Sequence, residues 1–283
     1  MKRLATLLIL MTSPVLAEVP RVVTDFGPVQ SLVMDVMGDL GTPQALLVSG
    51  GDPHDFQLRP SQAELLSNAD LVFWVGPQLI PAMGDALTTL APQTQTIALL
   101  TTTPQRSFAE GGTDPHAWLD PTNGIGWLAT IAEALAAKDP EHAATYRANA
   151  KTAQDRLATL DATWQTALTP LRQTPFIAYH DALGYFTDHF QLTMVGAIEL
   201  GDATAPSAAR LSEIQSVITE GRTQCVFPEA GRDPKFVAIL TEGLPVRIGP
   251  PQDIEFISTP AGPGQYALML DALVQGMVTC LTQ

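Results

Sequence analysis

The sequence predicts an α/β protein of two lobes, each with a four-stranded, mainly parallel sheet flanked by helices, joined by one long rigid connector helix. Three observations predict it. Eight short apolar, β-branched runs alternate with helix-like segments, the pattern of strands buried on both faces and joined by crossover helices. The runs fall four and four about the middle of the chain. Between the groups, Tyr146, Ala150, Ala153, Leu157, Leu160, Trp164 and Leu168 recur at steps of three or four, a sustained helical stripe.

The elements follow in order. Lys2 and Arg3, the apolar run Leu4 to Met11 and the residues Val15, Leu16 and Ala17 form a secretory signal peptide over 1–17, too short to span a bilayer. The mature chain is expected to start at Glu18, and no Cys follows the apolar run to accept a lipid anchor. The N-terminal lobe, 18–138, has strand candidates at Arg21–Thr24, Ala45–Ser49, Leu71–Val75 and Thr96–Leu100, with helices at Ser61–Ala69 and Asn123–Lys138. The connector is placed at 139–170. Asp139 reads as its N-cap, Pro140 and Glu141 suit the first turn, and Pro170 and Pro175 stop it. About 30 residues of helix span roughly 45 Å. The C-terminal lobe, 171–283, has strand candidates at Pro175–Tyr179, Leu192–Ile198, Cys225–Phe227 and Pro245–Ile248, and helices at Ser207–Glu220 and Gln265–Leu281.

Composition bounds the function. With 283 residues, 46% hydrophobic and 16% charged, the chain can bury a large core. A net charge of −14 argues against nucleic acid, which needs a basic face, and suits attraction of cations. The two cysteines, Cys225 and Cys280, suit a disulfide in an exported protein; two buried thiols are the alternative, and a two-cysteine metal site lacks the usual close pair.

Three of the five histidines stand at one place in the predicted fold. His54, in GGDPHDFQLRPSQ, follows the second strand; His116, in GGTDPHAWLDP, follows the fourth; His180, in FIAYHDALGYF, ends the first strand of the second lobe. All are at carboxyl ends of parallel strands, the edge where open α/β sheets bind ligands. His142 and His189 read as structural residues in helices. No HExxH, nucleophile elbow or GxGxxG is present.

The segments GDPHDFQLRPSQ, DPHAWLDP, YHDALGYF and CVFPE resemble the zinc-uptake periplasmic solute-binding proteins of metal ABC transporters (the cluster A-I metal-binding family). The resemblance covers the mature chain in order and spacing. It implies two α/β lobes, a long linking helix and one metal held between lobes by His54, His116 and His180, with Cys225 and Cys280 as a disulfide. It also implies a periplasmic, non-enzymatic monomer that captures one Zn²⁺ as cargo and hands it to the membrane permease of a zinc ABC transporter. Three features depart from the pattern: TTTPQRSFAEGG carries no histidine where many members have a His-rich loop, Ile80 stands where an acid often follows Gly76-Pro77, and RIGPPQDIEF only approximates the segment that supplies a fourth carboxylate. Asp253 is the expected fourth ligand, because it follows the last strand at the edge that presents His180; Glu229 or water is the alternative. Three imidazoles and one carboxylate suit tetrahedral zinc better than manganese, without excluding copper or nickel. The competing readings are an exported zinc hydrolase or hydratase, with Glu229 as base, and a manganese carrier of the same family.

Overall fold

The computed structural model describes residues 18–48, 50–201 and 205–282; the expected signal peptide, 1–17, lies outside the described residues. The first half runs β1 (Val22–Thr24), α1 (Gly27–Met37), β2 (Gln44–Ala45), α2 (Pro60–Ser67), β3 (Leu71–Trp74), α3 (Pro81–Leu90) and β4 (Gln95–Ala98). A short antiparallel hairpin, β5 (Arg106–Ser107) and β6 (Thr113–Asp114), then leads into α4 (Pro121–Lys138). The long helix α5 (Ala143–Leu168) follows. The second half runs β7 (Phe176–His180), α6 (Gly184–Phe190), β8 (Met194–Glu199), α7 (Ala208–Thr219), β9 (Cys225–Val226), α8 (Lys235–Thr241), β10 (Arg247–Ile248) and α9 (Gln265–Leu281).

Every strand of the two main sheets pairs in parallel, in the orders β2-β1-β3-β4 and β10-β9-β7-β8. Counted by appearance within each half, both sheets share one order: second, first, third, fourth. The order reverses beside the first strand, so each sheet has its ligand-binding edge at the carboxyl ends near β1 and β7. All eight runs read from the sequence became strands, because continuous apolar segments such as Leu71–Trp74 and Phe176–His180 are buried along their whole length. The expected Ala45–Ser49 shares only Ala45 with the two-residue β2, and Ser49 lies outside the described residues.

The connector starts later than the sequence suggests. Asp139 ends α4 as its C-cap, and α5 begins at Ala143. The Asp139 carboxylate accepts from His142 Nδ1 at 2.7 Å and from Tyr146 Oη at 2.8 Å, so it closes a tight turn between the two helices. The 26 residues of α5 span about 39 Å. Its stripe of Tyr146, Ala150, Leu157, Trp164 and Leu168 is buried. Asn149 donates to Val36 O in α1, Gln154 to Ile125 O in α4, and Trp164 Nε1 to Asp271 in α9. The connector is therefore packed along its length against helices of both halves. One apolar core takes residues from each half, Trp127 and Phe73 with Phe176 and Leu270, while a smaller cluster of Ile177, Ile198, Ile214 and Val226 packs the second sheet against α7 and α8. Among the described residues, no helix is long and apolar enough to cross a membrane.

Cys225, opening β9, and Cys280, near the end of α9, form a disulfide across a sequence separation of 55. Closing a loop of that length stabilises a fold by about 4 kcal/mol in the chain-entropy model. Replacing both cysteines with alanine is expected to lower the thermal midpoint by roughly 10 °C, since each kcal/mol shifts a domain of this size by about 2–4 °C. Differential scanning calorimetry checks this, beside a thiol titration of the denatured, unreduced protein that finds no free sulfhydryl.

Candidate metal centre

The three histidines are set by short turns or a strand end, each with a carboxylate beside it. His54 sits in a single helical turn, Pro53–Asp55, beyond β2; Asp52 caps that turn by accepting the His54 N–H at 2.8 Å. His116 lies two residues beyond β6, where Asp114 accepts both its backbone N–H, at 3.0 Å, and its Nδ1–H, at 2.8 Å. His180 is the last residue of β7, and its Nδ1 pairs with Glu229 at 2.6 Å. An imidazole whose Nδ1–H is given to a carboxylate turns its Nε2 lone pair outward and becomes more basic, the usual support for a metal-binding histidine.

The three rings converge. The Nε2 atoms of His116 and His180 face each other at 3.2 Å, and the ring centroids of all three histidines lie within 5.1–5.9 Å of one another. The fourth member is Glu255, whose Oε1 is 2.9 Å from His54 Nε2. The donor atoms of His54, His116, His180 and Glu255 all lie within 4.8 Å of one another. Tetrahedral zinc with bonds of about 2.0–2.1 Å needs donors roughly 3.4 Å apart. The set is thus within a few tenths of an ångström of that spacing at its two closest pairs. Side-chain exposure is 3% or less at His54, Glu255, His116 and His180, so the donors meet in a dry interior where charges interact strongly.

Asp253 is not placed with them. Its carboxylate accepts the Ser258 N–H at 3.1–3.2 Å and lines a separate cavity with Phe256, Thr259, Gln265, Leu268, Met269 and Ala272. The acid brought to the histidines is two residues later because the segment is anchored from outside. Trp118 Nε1 donates to Ile254 O at 2.9 Å, and Phe256 takes a left-handed φ of 59° with its ring where a Cβ on Gly27 would fall. The text PPQDIEF offers two acids in a turn, where no periodicity says which one faces inward. Glu229, the other alternative, lies on the Nδ1 side of His180, away from the facing Nε2 atoms, and also pairs with Arg232 at 3.3 Å. Ile80 is a buried core residue at the start of α3. His142 and His189 stay outside the cluster; His189 bridges Asp161 of α5 and Asp120.

The protonation of this interior follows from its pairs. Burial pushes the His180 imidazolium down, but the Glu229 charge and hydrogen bond outweigh it and raise the group to about 9. Burial likewise pushes the Glu255 carboxyl up, and the hydrogen bond from His54 with the charges of all three histidines holds it down at about 2. The Glu229 pairing thus favours the protonated form of His180, with Nδ1–H given to the carboxylate.

Residues 22–280 match the family of the periplasmic zinc-uptake complex component A, ZnuA. The chain belongs to the ZnuA family. Among its ZnuA relatives, the high-affinity zinc uptake system protein of Paracoccus denitrificans (strain Pd 1222) is 45% identical over 305 residues, covering 95% of this chain and 94% of its own length. The protein of that name from Brucella suis biovar 1 is 30% identical, over 93% of this chain and 92% of its own. The fold of this ZnuA-family chain is that of the periplasmic zinc-binding protein TroA from Treponema pallidum, with a TM-score of 0.86 over 93% of this chain and 99% of that one at 24% identity.

Proposed function

We propose that this ZnuA-family protein is a periplasmic carrier that captures one Zn²⁺ with His54, His116, His180 and Glu255 and passes it to the membrane permease of an ABC transporter. The observation that carries this reading is the facing pair of carboxylate-held imidazoles, 3.2 Å apart and closed to solvent. Zn²⁺ binding displaces the proton that Glu229 favours on His180. In this reading 18–138 and 171–283 are lobes joined by the connector helix Ala143–Leu168, the segment 1–17 directs export, and the protein works as a monomer. The family relationship supports carriage rather than catalysis. So does the site: four buried donors are enough for a tetrahedral shell, and Glu229 is engaged by His180 and Arg232 rather than free to activate water.

Three nitrogens and one oxygen favour zinc over manganese, which prefers six hard oxygen-rich ligands. Competition calorimetry on metal-stripped protein is expected to give one zinc per chain and an affinity for manganese weaker on the order of 10²-fold or more. Equal affinities in direct competition would remove the zinc assignment.

A further inference from the structure

Two arginines stand behind the carboxylates that hold the histidines, and each reaches across the two halves of the chain. Arg232, after β9, places Nε 3.3 Å from Glu229 Oε1 and Nη1 3.1 Å from Asp52 Oδ2. Glu229 holds His180, and Asp52 caps the turn that carries His54. Arg106, in the β5–β6 hairpin, places Nη1 3.0 Å from Asp114 Oδ2 and Nε 2.9 Å from Asp188 Oδ2 in α6. Asp114 holds His116. In both cases a planar guanidinium, which can serve two carboxylates in fixed geometry where an ammonium cannot, joins an acid of the first half to one of the second.

We infer that Arg232 and Arg106 are positioning residues for the metal centre, each coupling the relation of the two halves to the orientation of a metal-binding histidine. The inference rests on the carrier reading above and adds to it how the site is held together. A lone carboxylate behind an imidazole fixes the ring only as well as it is itself fixed, and outer partners of this kind commonly change metal affinity by about 10–100-fold. Arg232 holds Glu229 and Asp52 in one arrangement, so the aim of the His180 ring in the second half and the position of the His54 turn in the first are tied to the same contact between the halves. Arg106 does the same for His116 through Asp114 and Asp188.

The sequence makes room for the second arginine. A Cβ on Gly184, the first residue of α6, would lie 2.1 Å from Arg106 Nη1 and 2.3 Å from its Cζ. Glycine there has no helical advantage over alanine, and the space is used by the guanidinium.

Three variants test the coupling, read by zinc competition with a chelator, by the visible d–d absorption of the Co²⁺-loaded protein, and by the thermal midpoint without metal. Arg232→Gln removes the first bridge. Asp52→Asn keeps the acceptor that caps His54 but removes the charge facing Arg232. Gly184→Ala changes no charged group and displaces Arg106 by volume alone. The expected result is zinc binding weaker by about 10-fold in Arg232→Gln and Gly184→Ala, with an altered Co²⁺ band in both. Asp52→Asn added to Arg232→Gln is expected to cost nothing further, since both act through one bridge. Displacing Arg106 unpairs the buried Asp114, so the metal-free midpoint of Gly184→Ala falls by a few degrees while the protein stays folded, and the Co²⁺ band reports the ligand geometry separately. Wild-type affinity and Co²⁺ spectra in Gly184→Ala and Asp52→Asn would overturn the inference, as would losses that multiply in the double variant. Wild-type protein that bound no zinc would overturn the carrier reading and this inference with it; wild type that binds while the variants match it overturns the arginine roles alone.

Discussion

Glu255→Ala is expected to weaken zinc binding by on the order of 10²-fold, about 2.7 kcal/mol, while Asp253→Ala binds like the wild type. The expectation follows from placement. Glu255 Oε1 is 2.9 Å from His54 Nε2, and its carboxylate supplies the single negative charge among the four donors. Removing it leaves a divalent ion with three neutral imidazoles in a buried site, where an uncompensated charge is costly. The Asp253 carboxylate instead accepts the Ser258 N–H in a separate cavity. Competition titration against a chelator measures both variants. The reverse order of effects would return the fourth position to Asp253.

The second large effect is on pH. Because Glu229 raises His180 to about 9, zinc must displace a proton at any pH below that value. Affinity is expected to fall about 10-fold per pH unit, so about 100-fold between pH 8 and pH 6. Calorimetry in two buffers of different ionisation enthalpy is expected to read about one proton released per zinc at neutral pH. The same linkage gives a sign for stability. His180 is raised in the folded state, so its contribution to the metal-free protein is complete below the ordinary histidine value of about 6.5 and is lost as pH rises through about 9. Glu255 is lowered, so its contribution is present above the ordinary glutamate value and is lost as pH falls through about 2. The thermal stabilisation conferred by zinc therefore grows between pH 6 and 9. A zinc affinity flat across that range would show that no such proton is held.

Much of the fold was legible in the sequence because its signals are local. The inner strands β1, β3, β7 and β9 are short runs buried on both faces, and a run such as Leu71–Trp74 needs no partner to be recognised. The stripe from Tyr146 to Leu168 carried the long helix in the same way. The boundary at Asp139 was not legible, since an Asp-Pro pair before a helical stripe suits an N-cap equally well as the turn between two packed helices. Here the turn prevails because Tyr146 and His142 use the carboxylate. The β5–β6 hairpin also escaped: its strands are two residues long and have no alternation to read.

The sequence by itself put three histidines where they could converge. His54 and His116 come after the second and fourth main-sheet strands and His180 ends the fifth, and parallel connectivity sends such ends to one edge, His116 by way of the β5–β6 hairpin. It also determined the chemistry of the donors, since imidazole and carboxylate are read directly. Only the tertiary structure decided which acid joins them and what holds them. Glu255 rather than Asp253 faces His54 because Trp118, 136 residues away, fixes Ile254 between them. Arg232 and Arg106 meet acids 180 and 82 residues distant, Asp52 and Asp188. Periodicity reports the side of an element a residue faces; in a turn, or across two halves, orientation is set by packing partners far along the chain, and no local pattern encodes them.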